Sequence, residues 1–344
     1  MLVTLIILLL LTAFLPLFVK PIEHHIEMFL LCMGILTAAI AGGLTMANIG
    51  LIFENRFLYI ITGAVLVVSF LFRLFEKKIK VFSQFLLERL PLKLIVFSLI
   101  VLLGLLSSVI TAIIAALLLT EFVTLLPLSR RNKIIICIVA CFAIGLGAVL
   151  TPIGEPLSTV VVTKLNQNFS YMLNLLGVYT LFGILSMGVL GMFFADNNWR
   201  ETYRSGREPD YVPEKETSSA IFMRAGKIFI FVVALELLGY GFKPLIDTYI
   251  IHWSNGMLYG ANMISAILDN ATLAAAEISP VMMTLQIKTI LVSLLVSGGM
   301  LVTGNIPNII TAGKLKISMK EWAKVGTPVG LVLLMGYYLV MFAF

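Results

Sequence analysis

The sequence predicts an all-α polytopic membrane protein, an inverted repeat with two re-entrant helical hairpins and two broken transmembrane helices. Three observations predict it. Of the 344 residues, 60% are hydrophobic and only 12% charged, with a mean hydropathy of +1.05. Soluble domains run at about 45–50% apolar and about 25% charged. The basic residues collect in alternate loops, and two interrupted apolar stretches 150 positions apart carry related sequence. The same composition excludes a secreted disulfide scaffold, a nucleic-acid binder and a disordered chain.

Apolar segments fall at 2–19, 28–45, 57–72, 94–127, 134–163, 172–195, 221–240, 257–284, 289–312 and 325–344. The first lacks a basic n-region and a small-residue cleavage site, so it is expected to be retained as a span. Residues 73–93 are basic and space Phe75, Ile79, Phe82, Leu86 and Leu90 helically, as in an amphipathic helix lying in the interface. Residues 196–219 form the longest polar stretch and are read as a cytoplasmic linker. This divides the chain into N-terminal scaffold spans (1–56), a first repeat (57–195) and a second, inverted repeat (220–344).

As a single helix, 94–127 would be about 50 Å long, against a hydrocarbon core of about 30 Å. Both its flanks are basic, Lys93 on one side and Arg130, Arg131 and Lys133 on the other. Ends that both prefer the cytoplasm imply a hairpin, with its tip near 107–111. Threading onward from there requires 257–284 to be a second hairpin, entered from outside, with its tip at Asp269–Asn270. Only Arg56, Lys164, Lys243 and Lys288 then lie outside, and the other 20 of the 24 Lys and Arg lie inside. Eight spans, two opposed hairpins and both termini outside complete the expected topology.

The repeat is visible in GEPLSTVVVTKL, from Gly154 to Leu165, and GNIPNIITAGKL, from Gly304 to Leu315. Each is preceded by a break too rich in Pro and Gly to stay helical: Thr151-Pro152-Ile153-Gly154-Glu155-Pro156 and Thr303-Gly304-Asn305-Ile306-Pro307-Asn308. Irregular backbone inside a membrane survives only where protein or a water-filled cavity surrounds it. Inverted repeats with broken helices mark secondary transporters. Carbonyl, hydroxyl, amide and carboxylate oxygens suit a hard cation. Two quasi-equivalent cation sites are therefore expected. One comprises Ser107, Ser108, Thr111, Thr151, Glu155, Ser158 and Thr159; the other comprises Ser265, Asp269, Asn270, Thr303, Asn305 and Asn308. Glu155 and Asp269 are the expected sodium and proton ligands. A carboxylate near the bilayer centre costs about 2.5–3.5 kcal/mol, and Ser, Thr or Asn would cap a helix there without a titratable charge.

Other polar residues invite blander readings. Glu121 and Glu277 close the two hairpins, and Glu236 lies within a span. His24, His25 and His252 read as solvated, and Trp253 and Trp322 as interfacial anchors. Cys32, Cys137 and Cys141 sit in apolar stretches and read as packing residues.

With the hairpins, breaks and acids in view, the chain resembles the ion transporter superfamily of NhaD-type sodium/proton antiporters, arsenite permeases and sodium-coupled dicarboxylate symporters. Within that group it is most similar to the compact prokaryotic family known as domain of unknown function 1646. The resemblance rests on Leu268-Asp269-Asn270, on TPIGEPLST at 151–159 and on GNIPNI at 304–309. It implies that Glu155, Asp269 and Asn270 bind cation and proton. It further implies an elevator-like motion, a homodimer and a multi-pass location in the prokaryotic plasma membrane. The tip Thr111-Ala112 departs from the Asp-Asn or Ser-Asn-Thr expected there, and the absence of paired Ser-Asn-Thr tips counts against a dicarboxylate.

The expected function is exchange of Na⁺ or Li⁺ for H⁺, with both ions as substrates, the lipid bilayer as surroundings and no cofactor. The alternative is a sodium-coupled symporter of a small anion. No Arg or Lys lies within either break to bind an anion. An intramembrane enzyme is disfavoured because HExxH, Gly-x-Gly-Asp and a Ser/His dyad are all missing.

Overall fold

A computed structural model describes residues 1–19, 21–22, 25–56, 58–59, 62–63, 66–67, 70–71, 74, 78, 85, 89–195, 217–245, 248, 254–262, 266, 270–278 and 282–342. The amphipathic stretch at 73–93 and the linker at 196–219 fall largely outside these residues. His24, His252, Trp253, Ser265 and Asp269 fall outside them entirely.

Among the described residues the regular structure is helical. The helices are α1 (Leu2–Phe18), α2 (Ile26–Ile40), α3 (Met46–Glu54), α4 (Leu92–Ile110), α5 (Ala112–Leu125), α6 (Arg130–Ala148) and α7 (Pro156–Lys164). They continue with α8 (Tyr171–Met192), α9 (Ser218–Leu245), α10 (Asn255–Ala261), α11 (Asn270–Glu277), α12 (Thr284–Gly298), α13 (Ile306–Leu315) and α14 (Met319–Phe342). Four of the described helices, α4, α6, α8 and α14, are long and apolar enough to cross a membrane. Val178 and Phe182 on α8 and Val332 and Met335 on α14 turn large apolar side chains outward. Water penalises so much exposed apolar surface, whereas lipid does not.

The interior is organised around α6. Every residue from Lys133 to Ala148 is buried, as suits a helix that is apolar on all sides. Ser129 caps its start, accepting from Asn132 N at 3.3 Å. It packs against α4 and α8. The approach to α4 depends on glycine, because a Cβ on Gly147 would lie 1.7 Å from the Gly104 carbonyl oxygen. Small residues of this kind let backbones touch where lipid supplies no hydrophobic drive. On the other side α12 packs on α6 and is itself buried without a gap from Thr289 to Gly298. The N-terminal helices α1 and α2 pack on α9.

Segment 94–127 is not one helix. It divides between α4 and α5 at Thr111, whose φ of 76° is a left-handed value that β-branched residues rarely adopt. The Thr111 side chain then caps α5, accepting from Ile114 N at 3.4 Å.

Both interruptions read from Pro and Gly are present. Helix α6 ends at Ala148 and α7 begins at Pro156, while α12 ends at Gly298 and α13 begins at Ile306. The ends at 148 and 298, and the starts at 156 and 306, share an offset of 150. The helices after the breaks cross over: α13 packs on α5, and α7 packs on α11.

Trp322 corrects the sequence reading. It is not an interfacial anchor but fully buried, donating from Nε1 to the Gly299 carbonyl at 3.0 Å. A carbonyl left free where α12 ends needs a donor, and that need draws the indole inward.

Candidate functional site at two helix breaks

The first break is held by hydroxyls. Ser158, in the first turn of α7, donates to the Thr151 and Glu155 carbonyls at 2.7 and 2.8 Å. Thr159 donates to Pro152 O at 2.6 Å, and Thr151 to Ser108 O. Ser107 spans from α4 to Ile144 O on α6 at 2.9 Å, while Ser108 turns back to Leu105 O at 2.8 Å. Beside Thr111, Ala112 N donates to Gly154 O at 2.9 Å. Hydrogen bonds thus tie Thr151 to Ser108, Ser158 to Thr151 and Glu155, and the Thr111–Ala112 turn to Gly154, whereas Ser107 bonds to α6 instead. Glu155 is 6% exposed.

The chemistry of the cluster follows from proton counting. A hydroxyl has one proton and two lone pairs. Once Thr151, Ser158 and Thr159 give their protons to carbonyls, they have only lone pairs left for a third partner. Beside a buried carboxylate, such a donor set fits a hard cation and offers an anion little. Among the described residues no three His, Cys, Asp or Glu side chains converge on one point.

The second break repeats the construction with amides. Asn308, 150 positions after Ser158, donates from Nδ2 to the Leu301 and Gly298 carbonyls, both at 2.8 Å. Thr303 donates to Ala266 O at 3.2 Å. Asn270, at the start of α11, is 3% exposed and packs on Gly298, where a Cβ would lie 2.4 Å from its Nδ2. Among the described residues neither amide atom of Asn270 has a hydrogen-bond partner, nor does Asn308 Oδ1. Asn305 is half-buried and leans toward Gly145 of α6, where a Cβ would lie 3.1 Å from its Nδ2. Asn270, Thr303 and Asn308 thus surround one break, and Asn305 bridges toward the first half.

The remaining acids separate. Glu121 pairs with Lys314 at 2.6 Å. Glu236 accepts from Asn55 Nδ2 at 2.8 Å. Glu277 is 2% exposed, and among the described residues neither of its oxygens makes a hydrogen bond of ordinary length. Lys133, read in the sequence only as part of a basic flank, is 2% exposed and donates from Nζ to Thr124 O at 2.8 Å. The sequence reading passed over buried Asn262, Ser293 and Ser297. The four-residue spacing of Thr289, Ser293 and Ser297 was the available signal for the last two. All three cysteines are free: Cys32 is exposed and the other two are buried. Cys141 Sγ lies 3.3 Å from Thr311 Oγ1, seating α13 on α6.

No curated protein matches this chain. A family model described as a protein of unknown function, DUF1646, matches residues 2–344. With that match covering nearly its whole length, the chain belongs to the DUF1646 family.

Proposed function

We propose that this protein is a secondary active transporter that exchanges sodium or lithium for protons across a cell membrane. In this reading the two halves form an inverted repeat, 94–127 and 257–284 are re-entrant hairpins, and Asp269 joins Asn270 at the second break. The hairpins and breaks then move together, elevator-like, against the N-terminal scaffold of a homodimer. The chain is akin to the ion transporter superfamily in these features. The observation that carries the reading is Glu155, a carboxylate buried at a helix break among hydroxyls whose protons are already committed.

Coupling follows from charge. A carboxylate that holds either H⁺ or Na⁺ is neutral in both loaded states. The empty site carries a charge costing about 2.5–3.5 kcal/mol at the bilayer centre. Transit is therefore favoured only when one ion or the other is bound, and competition for one group gives antiport.

The test uses proteoliposomes with an internal pH dye and an external Na⁺ jump. Proton movement without added anion, lost in both Glu155→Gln and Asp269→Asn, is the expected result. A flat trace with Na⁺ and Li⁺ from folded, reconstituted protein would overturn the proposal. Sodium-driven uptake of a small anion in its place would favour symport.

A further inference from the structure

One face of α12 carries Thr289, Ser293 and Ser297, four residues apart and fully buried. Thr289 donates to Leu285 O at 2.7 Å and Ser293 to Thr289 O at 2.8 Å. Such bonds back to the previous turn are common for hydroxyls inside helices and by themselves indicate only packing. The first half supplies the control. At an offset of 150 the corresponding residues of α6 are Val139, Ala143 and Gly147, equally buried. A helix in this position therefore does not need hydroxyls.

The polar face of α12 leads to further buried polar groups. Asn262 donates from Nδ2 to Ser293 Oγ at 3.1 Å, and its carbonyl accepts from Ser297 Oγ at 2.7 Å. Gly298 follows, with Asn270 packed on it. Glu277 closes α11 beside the Asn262 side chain. Among the described residues its two oxygens make no hydrogen bond of ordinary length and no ion pair. Glu121, in the Leu-Thr-Glu stretch within α5, is instead satisfied by Lys314. The two halves thus differ twice: hydroxyls line α12 where α6 has none, and the ion pair of Glu121 has no counterpart at Glu277 among the described residues.

A buried carboxylate without a cationic partner must be neutralised. We infer that Glu277 is a proton-binding carboxyl group of the second half, seated beside Asn262, whose amide in turn reaches Ser293 on α12. Its role is to take a proton from water as an O–H bond forms on one carboxylate oxygen, and to return it as that bond breaks. The elements packed on α11 are α7, α9 and α12. Their charged and titratable groups are Lys164, with Glu155 just before α7, Lys288 on α12, and Arg224, Lys227, Glu236, Tyr240 and Lys243 on α9. Of these, Lys227 pairs with Glu27 at 3.4 Å, Glu236 takes the Asn55 amide, and Lys288 lies 5.4 Å from the centre of the Tyr179 ring.

The inference deepens the exchange reading, but its decisive test does not depend on transport. Infrared difference spectra of the reconstituted full-length protein, titrated with acid, should contain the C=O stretch of a buried carboxylic acid. Protonated Glu155 and Asp269 absorb there as well, so the component owed to Glu277 is the part of the band lost in Glu277→Gln and kept in Glu155→Gln, and its midpoint should shift in Ser293→Ala. If Glu277→Gln fails to fold, Glu277→Asp should keep the band with a displaced midpoint. A band unchanged in Glu277→Gln or Glu277→Asp overturns the inference. In the Na⁺-jump assay Glu277→Gln should slow proton flux about a hundredfold and flatten its pH profile. Wild-type flux with a Glu277→Gln profile identical to it would count against Glu277 alone. Absent wild-type flux would count against exchange and leave the infrared result to decide.

Discussion

Glu121 on α5 and Lys314 on α13 meet at 2.6 Å, with side chains only 23% and 12% exposed. The pair joins the end of one half's segment to the helix that follows the other half's break. It is therefore a tie between halves, at the interface where α5 and α13 pack.

Breaking that tie should be costly. Removing one partner strands a largely buried charge, a loss of about 3 kcal/mol. Lys314→Met should lower the melting temperature in detergent, and adding Glu121→Gln should restore part of the loss. Equal melting for the single and double variants would show that the pair is not coupled.

Gly147 and Gly298 set two effects against each other. Ala favours a helix over Gly by about 1 kcal/mol, but a Cβ on Gly147 meets the Gly104 carbonyl at 1.7 Å. Backbone cannot yield by that distance, so Gly147→Ala should abolish folded protein. At Gly298 the obstacle is the Asn270 amide at 2.4 Å, which can swing aside. Gly298→Ala should fold, elute as wild type on size exclusion, and lose cation-driven proton flux. Normal flux in Gly298→Ala would remove Asn270 from the site.

Ser158 ties α7 to the loop before it through two carbonyls. Ser158→Ala should cost about 1 kcal/mol in stability and raise the Na⁺ concentration that gives half-maximal flux. Ser158→Thr keeps the hydroxyl and should retain most of the affinity. Identical sodium dependence in Ser158→Ala and wild type would exclude the hydroxyl as a ligand.

At the start of α14, outside the span, Ser318 and Glu321 cap each other reciprocally. Glu321 Oε2 accepts from Ser318 N at 2.9 Å, and Ser318 Oγ accepts from Glu321 N at 3.2 Å, a capping box. The hydrogen bond from Arg130 at 2.6 Å is the main reason the Glu321 carboxyl falls from the usual 4.5 to about 2. A lowered carboxylate contributes stability that is complete above its unfolded value and is lost as pH falls through the folded one. The contribution should therefore fade between about 4.5 and about 2. Glu321→Gln should melt below wild type at neutral pH, and the gap should close on acidification across that window. A gap independent of pH would assign the effect to packing.

Much of the arrangement was legible along the chain. Pro152, Gly154, Pro156, Gly304 and Pro307 announce the breaks because missing donors and helix-poor residues act locally, whatever surrounds them. The repeat is readable for the same reason: Ser158 and Asn308 both turn back to carbonyls seven residues earlier, a contact set by short-range geometry. Trp322 misled because an indole suits an interface in general, and only the end of α12 reveals the carbonyl that takes its proton.

Composition and local backbone chemistry thus determined a helical chain suited to a membrane, the positions of its breaks and the polar residues gathered there. Tertiary structure alone decided how the acids differ. Glu121 within α5 and Glu277 at the end of α11 both follow apolar runs, yet one pairs with Lys314 and the other pairs with no cation among the described residues. Sequence records which side chains carry charge; partnership depends on distance across helices that lie almost two hundred residues apart in the chain, and on burial, which makes an unmet charge expensive.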